Sequence, residues 1–192
     1  MPRPKKAATE IYQLKVTLRH VRPPIWRRIH VPGDITLRTL HEVLQDTIGW
    51  MGGHLHQYVV KGVFYGEPDP DFGFPLTNDK RARLRDVVGG VKDKFIYEYD
   101  FGDGWEHDIL VEAILQPEPG VTYPLCVKGK RNCPPEDVGG PWGYANFLEA
   151  IRNKDHPEHQ EYLDWIGGSF DPEEFDLKDL NEYLKSARRL QR

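Results

Sequence analysis

Apolar and polar residues alternate from Ile11 to Val21, where Tyr12, Leu14, Val16 and Leu18 are set against Gln13, Lys15, Thr17 and Arg19. A period of two marks a half-buried strand. Pro23-Pro24 breaks it, and Ile25, Arg27, Ile29 and Val31 share one side of a second strand that Pro32-Gly33 turns away. The period then changes. Leu37, Leu40, Leu44 and Ile48 recur at helical spacing behind Thr36 and ahead of Gly49. This pattern predicts a helix with a side-chain N-cap and a left-handed stop. His54 to Val63 reads as another strand with a turn at Lys61-Gly62, followed by a Pro/Asp/Gly-rich loop from Gly66 to Pro75.

Alternation returns in Lys94 to Asp100 and in Trp105 to Leu115, joined by Phe101-Gly102-Asp103-Gly104. Two strands around so glycine-rich a link predict a hairpin. From Pro117 to Gly140 the chain reads as loop. Pro141 then suits the first position of a helix carrying Tyr144, Phe147, Leu148 and Ile151. Pro157 opens a second helix, with Tyr162, Leu163 and Ile166, which Gly167 ends. Asp176 caps a third, with Phe175 placed to staple onto Leu180. Strands joined by short turns predict an α+β fold: a mixed, largely antiparallel sheet, one early helix, and a helical C-terminal third packed on the sheet. No repeat and no clear linker divides the chain, so residues 10–192 are expected to form one domain behind a basic, flexible tail at 1–9.

Composition narrows the class. The chain has 192 residues, 39% of them hydrophobic, with 5 Trp and 9 Tyr, enough for a packed core. No apolar run approaches the length of a membrane span, and no apolar stretch follows the basic start, so the expected location is the cytoplasm, with Cys126 and Cys133 reduced. Serine occurs only at Ser169 and Ser186, neither in a nucleophile elbow, and the phosphate-loop, dinucleotide and zincin motifs are absent. The net charge of −4 conceals a gradient. Residues 1–38 carry nine Lys/Arg against Glu10 and Asp34, whereas residues 100–182 carry nineteen Asp/Glu against six Lys/Arg. Two electrostatic faces, or two halves that attract each other, would both produce this gradient.

Four constellations could carry chemistry. Asp100, Asp103 and His107 flank the hairpin link, and carboxylates with an imidazole can hold a hard cation or share a proton. Plain turn chemistry also explains Asp and Gly there. Glu136 and Asp137 lie in a stiff Pro134-Pro135…Gly139-Gly140 loop ahead of a helix. They read equally as a positioned acidic site or as partners of the helix dipole. His54 and His56, two apart and therefore on one strand face, join Cys126 and Cys133 as zinc-type donors without a recognised zinc spacing. Arg19, Arg22, Arg27 and Arg28 interleave with Trp26 as a nucleic-acid contact strip, or as ion-pair partners of the acidic half.

In order along the chain stand Pro24-Ile25-Trp26-Arg27-Arg28, Gly49-Trp50 with His54-Leu55-His56, Tyr99-Asp100-Phe101-Gly102-Asp103-Gly104-Trp105-Glu106-His107, Pro134-Pro135-Glu136-Asp137-Val138-Gly139-Gly140, Gly143-Tyr144, His156-Pro157-Glu158-His159 and Phe170-Asp171-Pro172-Glu173-Glu174-Phe175-Asp176. Together they resemble the plasmid pRiA4b ORF-3-like family from about Ile11 to Asn181. The resemblance implies an α+β domain of roll-like topology, a context of plasmids and insertion elements, and no established activity. It departs at Val138, where relatives often carry Cys, so it implies no thiolate-rich metal site here. The expectation is a non-enzymatic binding module associated with mobile DNA. Its rivals are a metal-dependent hydrolase or nuclease using Asp100, Asp103, His107, Glu136 and Asp137 with a divalent metal ion, and a protein-interaction adaptor around Trp142 and Tyr144. Convergence of the two acidic loops would favour the hydrolase.

Overall fold

The computed structural model of the chain describes residues 9–68 and 75–190, with side chains to residue 187. The basic tail before Thr9 and the centre of the loop from Gly66 to Pro75 lie outside the described residues. The strands are β1 (Ile11–Leu18), β2 (Trp26–Pro32), β3 (His56–Val60), β4 (Val63–Gly66), β5 (Thr77–Asn78), β6 (Lys94–Tyr99), β7 (Trp105–Leu115) and β8 (Leu125–Lys130). The helices are α1 (Leu37–Ile48), α2 (Leu84–Val87), α3 (Gly140–Arg152), α4 (His159–Ile166) and α5 (Leu177–Leu190). The strands form one open sheet in the order β5-β4-β3-β6-β7-β1-β2-β8. Every neighbouring pair is antiparallel except β4 with β5. No helix among the described residues is long and apolar enough to cross a membrane.

The early elements follow the sequence pattern closely. Leu14, Ile29 and Val31 are fully buried in the β1–β2 hairpin. Thr36 Oγ1 accepts from Thr39 N at 3.1 Å to cap α1, and Gly49 closes the helix at φ 91°. The α1 helix lies over the sheet through Leu37, Leu40 and Leu44. Its Leu37 carbonyl accepts from the Tyr58 hydroxyl at 3.0 Å. Asp176 Oδ1 caps α5 by accepting from Lys178 N and Asp179 N. The α5 helix packs against α1 and β8, while α3 and α4 pack on each other.

Three expectations need correction. The stretch from Pro117 to Gly140 is not all loop, because β8 pairs with β2 at the sheet edge. Only Cys126 of that strand is buried, and an edge strand with one inward side chain has no alternation to display. The strand expected from His54 begins at His56, so the two histidines do not share a face: His54 is exposed in the preceding loop and His56 is 6% exposed. His107 is not at the hairpin link but inside β7, opposite Tyr97, at 2% exposure.

Candidate functional site

The hairpin link is a built turn. Asp100 has φ 54° and its Oδ1 accepts from Gly102 N at 3.0 Å and Asp103 N at 3.4 Å. An Asp that bonds its own following backbone tolerates the left-handed region. The turn thereby leaves Oδ2 free of its own backbone, 3.6 Å from His54 Nδ1. Asp100 N donates to Leu55 O at 2.9 Å, which ties the turn to the loop that carries His54.

The loop from Pro134 to Gly140 docks on this turn. Trp50 Nε1 donates to Pro134 O at 2.9 Å, and Trp105 Nε1 donates to Glu136 O at 3.1 Å. Glu136 is spent as a clip: one carboxylate oxygen accepts from the Tyr99 hydroxyl and the other from Met51 N at 2.8 Å. Burial and the Glu136 carboxylate together push the Tyr99 phenol up, so it stays a donor at neutral pH. Asp103 is spent too, accepting from Gly139 N at 3.1 Å. Gly140 sits at φ 70°, and a Cβ there would meet Asp103 O at 2.2 Å. Replacing Gly140 with Ala is therefore expected to cost roughly 2–4 kcal/mol through backbone strain and overpacking. Urea denaturation checks this, and a loss below about 0.5 kcal/mol, the size of a neutral surface change, would show that the loops are not in close contact.

With Glu136 and Asp103 engaged, Asp137 remains. Its side chain is 71% exposed, and its Oδ1 lies 3.1 Å from His54 Nε2. One ligand atom each from His54, Asp100 and Asp137 falls within 4.8 Å of the others. The two acidic loops thus converge, through Asp100 and Asp137, on a histidine that precedes β3. The structure does not bring His107 to them. Burial holds its imidazole down at about 4, with hydrogen bonds to the Tyr97 and Trp105 backbone pulling weakly the other way.

The zinc-type donors do not assemble either. Burial pushes the Cys126 thiol up to about 11 and raises Cys133 as well, so both stay protonated and are poor metal ligands. His56 Nε2 instead faces Asp79 Oδ2 at 3.0 Å in the core. Burial raises the Asp79 carboxyl, but the His56 hydrogen bond and the Arg38 guanidinium more than reverse this and hold it below the usual range. His56 stacks on His41 at 3.6 Å between ring centroids, an arrangement no local spacing announces.

Of the basic strip, Arg27 points inward, 5% exposed. It donates to Trp26 O and Lys130 O, contacts Cys133 Sγ at 3.2 Å and lies 4.2 Å from the Phe175 ring centroid. Its place beside Ile25, Ile29 and Val31 on the inner face makes it unavailable to a nucleic acid. Arg19 pairs with Glu106 and Asp108, Arg28 pairs with Glu112, and Arg22 is exposed. Two of the four cations, Arg19 and Arg28, therefore serve as ion-pair partners of the acidic half.

A cleft of about 190 Å³ adjoins the triad, lined in part by Arg38, His41, His54, His56, Glu67 and Phe101. Leu55, 51% exposed, adds apolar surface to its lining.

The chain is similar to known proteins over most of its length. An uncharacterized protein of Sinorhizobium fredii (strain NBRC 101917 / NGR234), y4hQ, is 42% identical over 174 residues, which is 90% of this chain and 89% of the relative. The crystal structure of MM3350, a protein of unknown function from Methanosarcina mazei Go1, superposes with a TM-score of 0.82 at 38% identity, covering 90% of this chain and 98% of that one. The sequence profile of plasmid pRiA4b ORF-3-like proteins matches residues 10–179, a span that holds every sheet strand and both converging loops. The chain belongs to the plasmid pRiA4b ORF-3-like family.

Proposed function

We propose that this chain binds a divalent transition-metal ion between His54, Asp100 and Asp137 and presents it as a centre open to water and to a further ligand. The carrying observation is the approach of three ligand atoms, from three separate segments, to within 4.8 Å of one another. One imidazole with two carboxylates suits zinc or manganese. Tetrahedral ligand atoms at about 2.1 Å from zinc stand about 3.4 Å apart. Asp100 faces His54 Nδ1 and Asp137 faces Nε2, so one carboxylate must swing to the nitrogen that holds the ion. Three protein ligands with the remaining positions facing solvent is the pattern of catalytic zinc sites, whereas structural sites are closed by four. An ion held there lowers the pKa of a coordinated water toward neutrality. Metal-dependent hydrolysis is the activity such a centre supports, and the cleft between His54 and Arg38 offers room for a substrate.

A non-enzymatic module attached to mobile DNA draws less support. Of the four arginines of the basic strip, Arg19 and Arg28 are held in ion pairs and Arg27 is buried, so three are engaged within the fold and not presented to phosphates.

Calorimetric titration of chelator-stripped protein with zinc and with manganese tests the proposal. The expected result is one site per chain, with affinity lowered at least about 100-fold in the His54→Ala, Asp137→Asn double variant. At a free metal concentration near 100 times Kd, the parent should gain about 2.7 kcal/mol of stability. Binding that is absent, or unchanged in the double variant, would reduce the cluster to a bridging ion pair. Turnover of bis(p-nitrophenyl) phosphate by the metal-loaded parent and not by the variant would then separate a hydrolase from a metal-holding module.

A further inference from the structure

The cleft beside the His54 centre is backed by a pair of buried imidazoles. His41, on α1, is 7% exposed and His56 is 6% exposed, and their rings stack at 3.6 Å with 4° between the planes. Both line the cleft together with His54. His41 and His54 also border one ring: their centroids lie 6.1 Å and 5.7 Å from that of Tyr99.

The neighbours of His41 decide where its proton sits. Gln45 Nε2 donates to the Tyr97 hydroxyl at 2.8 Å, and His41 Nδ1 lies 2.7 Å from the same oxygen. A phenol has one proton to give, and with Gln45 donating to its oxygen that proton goes to His41 Nδ1. Burial, together with the neighbouring His56 and Arg38, keeps the imidazole neutral, so its own proton sits on Nε2. That N–H has no hydrogen-bond partner among the described residues. It stands at the cleft wall: a Cβ built on Gly52, which lines the same cleft, would lie 3.8 Å from Nε2.

The rest of the lining sets the charge of what can enter. Arg38 is the one Lys or Arg among the described lining residues, and it is held by Glu67 Oε2 at 2.8 Å and Asp79 Oδ2 at 3.0 Å. Leu55, Leu76 and Phe101 supply apolar surface. With the two charges of a bound metal ion balanced by Asp100 and Asp137, the cleft offers an anion no unpaired cation.

We propose that this cleft takes a small uncharged ester and that His41 Nε2–H donates to its carbonyl oxygen. The role rests on the reading of His54, Asp100 and Asp137 as a metal centre. Hydrolysis consumes one water: its oxygen bonds the carbonyl carbon, and the C=O electron pair moves onto the oxygen that His41 holds. The ester C–O bond then breaks, and the alcohol leaves with one of the water's protons. A neutral N–H fixed in place suits the charge that develops on that oxygen, because it needs no reorganisation. Tyr97 is the positioning residue, since its hydroxyl sets the His41 tautomer.

The test uses zinc-loaded protein with p-nitrophenyl acetate. His41→Phe should lower kcat about 100-fold or more while KM and zinc affinity change less than about three-fold, and His41→Gln, which keeps a side-chain N–H, should recover part of the loss. Acetohydroxamic acid presents a like carbonyl without being turned over. It should move the His41 Nε2 proton downfield in the NMR spectrum of the zinc form, and bind about ten-fold or more tighter than succinohydroxamic acid, which adds a carboxylate. Failure to take up zinc would remove the metal centre and this role with it. Zinc uptake without ester turnover, full activity in His41→Phe, a loss confined to zinc affinity, an unmoved His41 proton, or equal binding of the two hydroxamic acids would each overturn the role of His41 while leaving the metal centre standing.

Discussion

Replacing Trp105 with alanine is expected to cost about 3–5 kcal/mol of stability, the range for large-to-small changes at a buried aromatic. Trp105 is fully buried, pairs with Tyr99 across the β6–β7 ladder and lies 5.3 Å from the Trp50 ring centroid. Its indole N–H also holds Glu136 O at 3.1 Å, so the loss reaches the acidic loop and not only the core. The milder Trp105→Phe change keeps most of the ring and removes that donor. It should cost about 1 kcal/mol for the hydrogen bond, yet still loosen the segment that carries Asp137. Equilibrium urea unfolding measures both. A loss for Trp105→Ala below about 1 kcal/mol would mark the ring as a surface contact residue.

Acid should be the second large effect. His107 and His41 are held neutral by burial, with folded values of about 4 and about 3 against an ordinary 6.5. In the unfolded chain both take up protons below 6.5, whereas in the fold they do not. Their contribution is therefore fully present above pH 6.5 and is lost as pH falls toward the folded values. Each group costs about 1.4 kcal/mol per pH unit in that window, so moving from pH 7 to pH 5 should remove about 4 kcal/mol in all. Glu42 and Asp46, whose carboxyls burial raises, act in the opposite sense. Denaturation at pH 7 and pH 5 should show the drop, and His107→Phe should remove about half of it. Stability that is flat between pH 7 and pH 5 would mean that these imidazoles are solvated.

Local rules made much of this readable in the sequence. Thr36 and Gly49 bracket α1 because capping is a local matter, and the alternation of Phe95, Tyr97 and Tyr99 fixes which face of β6 is buried. The same alternation already put Arg27 on the inner side with Ile25 and Ile29, so its burial was legible even while its charge suggested a nucleic acid. The acidic loops were visible as compositions, and their meeting was not. Asp100 and Asp137 are joined by the docking of Trp50 and Trp105 onto Pro134 and Glu136, pairings that span distant parts of the chain. His54 stood among the zinc-type donors and not beside the acidic loops, because its approach to Asp100 and Asp137 is a long-range contact that strand spacing does not show. The His41–His56 stack and the Asp79 pair are likewise products of tertiary packing.

The metal centre is tested most directly by diffraction from crystals equilibrated with zinc or manganese, collected at the metal's absorption edge. One anomalous peak per chain is expected, about 2.0–2.2 Å from an imidazole nitrogen of His54 and from carboxylate oxygens of Asp100 and Asp137, with water in the remaining positions. A map without that peak at saturating metal, or with the metal bound elsewhere while His54 still bridges the two carboxylates, would contradict it.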